Sequence, residues 1–336
     1  MSRLKSILET GVQARASDWH IREGSPVVLR VDAQLVEVAD FIPSREFLWE
    51  AIKEICTERS LKIFEENGDA DFAHREPGVG RFRVNLHRQR GLLALSMRYV
   101  KEEIPDIHSL GLPEEVLRIA EKPRGIILVT GTTGSGKSTT LACMLEHLNN
   151  VSAQHIITIE DPIEYNFKDR NCIFEQREVG IDCKSFLQGL LAALRQDPDV
   201  IVVGEMRDRE SFDTALMAAD TGHLVMTTLH TTNAPQTLQR ILDFYPYEER
   251  EQIRIALATN LTAIMSQRLL PRAIGKGVIP AMEILQNTPL IRKLIYNGEF
   301  DKLPAAIEAS REEGMMSFNQ CLYDLVNQGL VTEEVA

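Results

Sequence analysis

Residues 131–138, Gly131-Thr132-Thr133-Gly134-Ser135-Gly136-Lys137-Ser138, match the pattern G-x-x-x-x-G-K-[ST], and each residue type has a chemical use. Glycines at 131, 134 and 136 let the backbone turn tightly enough to aim N–H groups inward at phosphate oxygens. Lys137 adds a point charge within reach of β- and γ-phosphates, and the Ser138 hydroxyl is a ligand for Mg2+. Thr139 completes the phosphate-binding set and opens a helix-compatible stretch to Leu148, whose positive N-terminal end favours an anion. The aliphatic run Ile126-Ile127-Leu128-Val129 supplies the strand that should precede such a loop. The guanine-reading motif N-K-x-D of GTPases does not occur in the sequence, so ATP with Mg2+ is the expected ligand.

Three further aliphatic runs end in polar residues, and in an open α/β sheet such strand ends gather at one ligand-binding edge. After Ile156-Ile157-Thr158-Ile159 come Glu160, Asp161 and Glu164, which either hold Mg2+ through water and polarise the attacking water or cap a helix and solvate a loop. Glu205 follows Val200-Ile201-Val202-Val203, where a P-loop ATPase keeps the acid that orients or deprotonates water. His230 ends the run Leu224–Leu229, at the phosphate edge, where an imidazole can sense the γ-phosphate by hydrogen bonding; His223 begins that run and reads equally as a ligand contact or a structural residue. Upstream, Arg81-Phe82-Arg83-Val84-Asn85-Leu86-His87 alternates strictly, which predicts an apolar face of Phe82, Val84 and Leu86 opposite a basic face. Residues 81–98 hold five arginines, Arg83 and Arg98 among them, and no acid, so the strand is either a solvated edge or a cationic jaw for an anion.

These elements must be positioned by 336 residues, enough for two domains. Residues 1–100 read as a small α/β module, 101–112 as a polar, proline-containing linker, and 113–336 as short aliphatic strands alternating with helices, the pattern of a parallel sheet with crossover helices and a helical C-terminal tail. Apolar residues at 44% and charged residues at 26% describe a globular chain rather than a disordered or membrane-embedded one. No run approaches the length needed to span a bilayer, and the charged start Met1-Ser2-Arg3-Leu4-Lys5 is unlike a secretory peptide, so a cytoplasmic location is expected. Five cysteines without a C-x-x-C pair read as reduced thiols. The net charge of −12 falls wholly in residues 101–336, so nucleic acid is not an expected partner, because non-specific binding depends on cationic groups displacing counterions.

The order of these motifs resembles the type II/IV secretion ATPase superfamily. Beyond the segments above, Gln176-Arg177-Glu178-Val179-Gly180, the stretch Leu194–Asp199 leading to Gly204-Glu205-Met206-Arg207-Asp208, and Ala16-Ser17-Asp18-Trp19-His20-Ile21 are similar to its signatures, with the closest resemblance to the PilT/PilU pilus retraction ATPases. That resemblance implies a PAS-like N-terminal domain before a RecA-like P-loop ATPase domain, and a homohexameric ATPase motor for type IV pilus retraction and twitching motility. It implies further that the protein sits at the inner face of the inner membrane against a pilus platform protein, with a paralogous retraction ATPase as a further partner. An accessory, PilU-like subunit is the alternative, and an assembly or secretion ATPase is disfavoured because the chain has no room for their extra N-terminal domain or tetracysteine insert. By the same resemblance the acidic box ends at Glu164, which supports metal or water, Glu205 is the general base, His223 and His230 form a histidine box, and Arg83 and Arg98 reach over the nucleotide. The stretch Leu290-Ile291-Arg292-Lys293-Leu294-Ile295-Tyr296-Asn297 keeps half of a C-terminal PilT motif, and the tail around Phe318, Leu322, Leu325 and Val326 reads as packing more than as a partner site.

Overall fold

A computed structural model describes residues 2–31, 34–38, 41–100, 103–275 and 277–336. The chain divides into two compact units, residues 1–103 with 164–166 and residues 104–163 with 167–336. Residues 101–102, the start of the expected linker, lie outside the described residues; within the rest of that stretch, Ile107 and Leu112 are buried in the core of the second unit.

In the first unit, helix α1 (Arg3–Gln13) precedes strands β1 (Asp18–Arg22), β2 (Val28–Val31) and β3 (Gln34–Glu37), then helices α2 (Arg45–Ile55) and α3 (Glu58–Asn67), then β4 (Asp69–Glu76), β5 (Gly80–Gln89) and β6 (Leu92–Val100). Each helix starts at a hydroxyl cap, Ser2, Ser44 or Thr57, whose side chain accepts a first-turn N–H. The strands form an antiparallel sheet in the order β3-β2-β1-β6-β5-β4. Alternate residues Trp19, Ile21, Phe82, Val84, Leu86 and Leu95 point to one side, where Leu4, Leu8, Leu48, Ile52 and Phe64 of the helices cover them. Trp19 is wholly buried, packs edge-on to Phe82 with ring centroids 5.2 Å apart, and donates its indole N–H to Ile7 O at 3.2 Å. Gly11 makes room for it: a Cβ there would stand 2.4 Å from the indole.

The second unit opens with short helices α4 (Ile107–Leu110) and α5 (Glu115–Ala120), then runs β7 (Gly125–Thr130), α6 (Lys137–Val151), β8 (His155–Glu160), β9 (Ile173–Glu178), α7 (Phe186–Ala193), β10 (Val200–Val203), α8 (Arg209–Asp220), β11 (Leu224–Leu229), α9 (Ala234–Leu242), α10 (Arg250–Asn260), β12 (Leu261–Pro271), β13 (Val278–Gln286), α11 (Pro289–Asn297), α12 (Leu303–Ala309) and α13 (Phe318–Asn327). Its sheet has the order β13-β12-β7-β11-β10-β8-β9, parallel except for the edge strand β13. Continuous aliphatic runs make sense only if both faces are covered. Along β7, Ile126 and Leu128 pack with α7, α8, α9 and α10, while Ile127 and Val129 pack with α5 and α6. This is the mixed α/β class expected, an N-terminal module followed by a doubly covered P-loop sheet. The divergent stretch 290–297 is α11, whose Ile291, Leu294 and Ile295 are core residues, and α13 buries Cys321 and Leu325 against Ile279 and Ala281 of β13, so the tail is packing.

Candidate nucleotide site

Parallel pairing puts the C-terminal ends of β7, β11, β10 and β8 along one edge. The loop after β7 is a cradle shaped by contact as well as by motif. Gly131 has φ +150°, and a Cβ on it would lie 2.5 Å from both Gln267 O and Ser135 Oγ. Gly136, at φ +89°, stands at the N-cap of α6 and gives the helix no side-chain cap, so first-turn N–H groups face the loop. Lys137 is buried, and its Nζ donates to Gly131 O at 2.9 Å and Thr132 O at 3.0 Å. Ser135 Oγ, beside Gly131 in the loop, is buried without a hydrogen-bond partner among the described residues. Loop, lysine, Ser138 at the second position of α6 and this orphaned hydroxyl fit a magnesium–nucleotide phosphate chain.

One residue escaped the sequence reading. Gln267 of β12 is buried; its side-chain amide donates to Ser135 O and its Oε1 accepts from Thr140 Oγ1 at 2.8 Å, so one glutamine ties the P-loop to the helix that follows. The available signal is the polar trio Ser266-Gln267-Arg268 inside a mostly apolar strand. Ser266 likewise accepts from Thr130 Oγ1 at 2.9 Å.

Glu205 and His230 come together. Strands β10 and β11 are neighbours with Val203 opposite Thr227, and Thr228 Oγ1 donates to Gly204 O at 2.6 Å, which holds the two ends level. His230 Nε2 lies 3.2 Å from Glu205 Oε1, and Arg207 donates to Glu205 Oε2 at 2.7 Å. The hydrogen bond and charge of Glu205 push the Arg207 guanidinium pKa further up, with Asp161 adding to the effect. Arg207, two residues beyond Glu205 in the same motif, thus joins the site through the carboxylate. A carboxylate with two partners retains lone pairs for a water.

Behind His230 the chain is braced. Thr231 and Thr237 share a hydrogen bond of 2.7 Å, and Ala234 N, at the first turn of α9, donates to Glu283 Oε1 at 2.7 Å. Burial raises the Glu283 pKa, while that bond and the charge of Arg268 oppose the shift.

His223 does not join this group. Leu224 is level with Gly125, and Gly125 N donates to His223 O at 3.0 Å, so His223 stands at the opposite edge, about 20 Å of strand from the P-loop. Its Nδ1 faces Ala218 O at 3.0 Å and Thr221 Oγ1 at 3.2 Å, a turn-closing role. Of the two readings of His223, the geometry of this sheet matches the structural one: two histidines seven residues apart in one parallel strand segment reach different ends of the sheet.

The acidic box is also resolved in part. Glu160 Oε1 accepts from Thr158 Oγ1 at 2.6 Å and Gln176 Nε2 at 3.2 Å, and Glu164 falls in the stretch 164–166 that groups with the first unit. Among the described residues no three His, Cys, Asp or Glu side chains converge to chelate a metal, so Glu160, Asp161 and Glu164 are not a direct-ligand cluster.

In the first unit, Arg83 and Arg98 are cross-strand partners on β5 and β6, on the face opposite the core. The face is mixed rather than purely basic, because neighbouring strands contribute acids: Asn85 donates to Asp69 at 2.9 Å and Asp71 at 3.2 Å, and Asp18 accepts from Arg98 Nε at 2.7 Å. A shallow cleft of about 280 Å³ opens there, lined by Asp18, His20, Arg83, Asn85, Ser96 and Arg98 among others. Burial depresses the His20 pKa, with Asp18 opposing and Arg30, Arg22 and His87 reinforcing.

Comparison with known proteins agrees with this geometry. A family described as type II/IV secretion system protein matches residues 1–278. The chain is 41% identical over 332 residues to the type IV pilus ATPase PilU of Pseudomonas aeruginosa, covering 99% of this chain and 87% of that protein. It is 41% identical over 335 residues to the type IV pilus retractation ATPase PilT of the same organism, covering 99% and 96%. A crystal structure of the pilus retraction motor PilT with bound ADP superimposes with a TM-score of 0.92 at 45% identity, covering 98% of this chain and 95% of that one. The chain belongs to the type II/IV secretion system protein family, in its PilT/PilU branch.

Proposed function

We propose that this protein is the ATP-hydrolysing subunit of a motor that powers type IV pilus retraction and hence twitching motility. The observation that carries the reading is the convergence on one sheet edge of a built P-loop and the Glu205–His230 pair, in a chain that matches retraction ATPases from end to end. Lys137 grips the phosphate chain; Glu205 orients and deprotonates the attacking water; His230, on the same carboxylate, senses the γ-phosphate. Ser138 would hold Mg2+, with Glu164 supporting it through water, and the ion would supply charge neutralisation at the phosphate oxygens. Arg83 and Arg98 stabilise charge that develops on the transferred phosphoryl group. The working unit is a homohexamer, peripheral at the cytoplasmic face of the inner membrane, and it acts on a membrane-embedded platform protein of the pilus; no helix of the described residues is long and apolar enough to cross a membrane.

Phosphate release by the purified protein, lost in Lys137→Ala, tests the enzyme. Deleting the gene tests the direction: hyperpiliated, non-twitching cells are expected, and bald cells would refute retraction. The equal identity to PilU favours one second reading, an accessory subunit that works beside a paralogous retraction ATPase. Nucleotide binding without turnover in the purified protein would favour it.

A further inference from the structure

The motif Ala16-Ser17-Asp18-Trp19-His20 is not accounted for by the nucleotide edge, and its residues divide between the two faces of the first sheet. Trp19 belongs to the core, whereas Asp18 and His20 line the open cleft. Register places Asp18 between two arginines, Arg30 on β2 and Arg98 on β6, and Arg98 in turn faces Arg83 on β5. Four strands thus carry Arg30, Asp18, Arg98 and Arg83 side by side in one rank, with a single carboxylate among three guanidinium groups.

That carboxylate is placed to steer. Ser17 Oγ donates to Asp18 Oδ2 at 2.7 Å and Arg98 Nε donates to Asp18 Oδ1 at 2.7 Å, while Arg30 Nε stands 4.0 Å away. Burial of Asp18 works against its charge, but the hydrogen bonds from Ser17 and Arg98, together with the charges of Arg98 and His20, outweigh it and hold the carboxyl below its ordinary pKa. Asp18 is almost wholly buried, whereas the Arg98 side chain is 67% exposed and its guanidinium makes no other hydrogen bond among the described residues. Holding an arginine by Nε alone fixes the plane of its fork and leaves both terminal nitrogens for a bidentate contact with an oxyanion.

We propose that Ser17 and Asp18 are positioning residues for Arg98, setting the orientation in which it meets the triphosphate. This rests on the reading that Arg98 contacts the nucleotide during turnover. Asp18 touches no reacting atom; its effect runs through Arg98 and belongs to the transition state more than to ground-state binding.

The test is a double-mutant cycle in the full-length protein with Asp18→Ala, Arg98→Ala and the pair, reading kcat, the dissociation constant of a fluorescent ADP analogue, and thermal unfolding. Asp18→Ala is expected to lower kcat roughly tenfold, the scale of one charge-assisted hydrogen bond, with ADP affinity within about twofold of the parent. The pair is expected to match Arg98→Ala alone. Asp18→Asn, which keeps shape and an acceptor oxygen, guards against misfolding and should fall between parent and Asp18→Ala. If Arg98→Ala is impaired while Asp18→Ala is silent, or if the two losses multiply, positioning is refuted and the role of Arg98 stands. If Arg98→Ala itself turns over at the parental rate, both ideas fall.

Discussion

The two sheets keep their chemistry in different places. The seven-stranded sheet is covered on both faces, so the interiors of its central strands β7, β8, β10 and β11 are mostly apolar and the candidate site groups sit at strand ends, Gly131 after β7, Glu205 after β10 and His230 after β11. The six-stranded sheet is covered on one face, and its polar groups lie along the strands themselves, ranked by register across β2, β1, β6 and β5. A doubly covered sheet confines function to its edge, and backbone geometry there does most of the binding. An open face lets side chains do it, and their aim depends on neighbours across strands.

Substitutions can break or sharpen that contrast. Largest is Trp19→Ala, which removes the buried ring beneath the open face; unfolding free energy by denaturant should fall by about 3–5 kcal/mol. Lys137→Ala should cut phosphate release by about 10²–10³-fold, as loss of one preorganised electrostatic group does. Gln267→Ala leaves Ser135 O and Thr140 Oγ1 without their partner and should cost about 1–3 kcal/mol, read as weaker nucleotide binding by titration calorimetry; unchanged affinity would show that the P-loop holds its shape unaided. Arg83→Ala should move unfolding by no more than about 0.5 kcal/mol yet slow hydrolysis, whereas Val84→Ala, one residue along on the covered face, should do the reverse. Smallest is a pH effect. The Asp18 pKa is lowered on folding from about 3.8, so its ionised form stabilises above that value and the benefit fades as pH falls through the lower folded value. Thermal unfolding of Asp18→Asn should therefore be less steep in pH between about 2 and 4 than that of the parent.

What the sequence discloses follows the same division. The P-loop, the run before it and the alternation in 81–87 are local patterns, and each is found where spacing puts it, with Phe82, Val84 and Leu86 wholly buried. Facts that depend on strand order are not local. The acids beside the arginine strand come from β1 and β4, so a segment free of acid in sequence lies on a mixed face. Gln267 lies 131 residues beyond Gly136 and becomes part of the P-loop only because β12 pairs with β7. His223 and His230 part for a geometric reason: the motif counts residues, whereas a parallel strand converts seven of them into the full depth of the sheet.

The meeting of Glu205 with His230 depends on a count that leaves no slack. Strand β10 has four residues and β11 has six, they start level at Val200 and Leu224, and the chain after Val203 turns at Gly204 so that the carboxylate comes back beside the longer strand. Because side chains alternate with period two, one residue inserted into β11 would turn the imidazole to the other side of the sheet and carry it about 3.3 Å outward. Evolution or an engineer can exchange residues at this edge one at a time, but the lengths of the two strands have to change together or not at all.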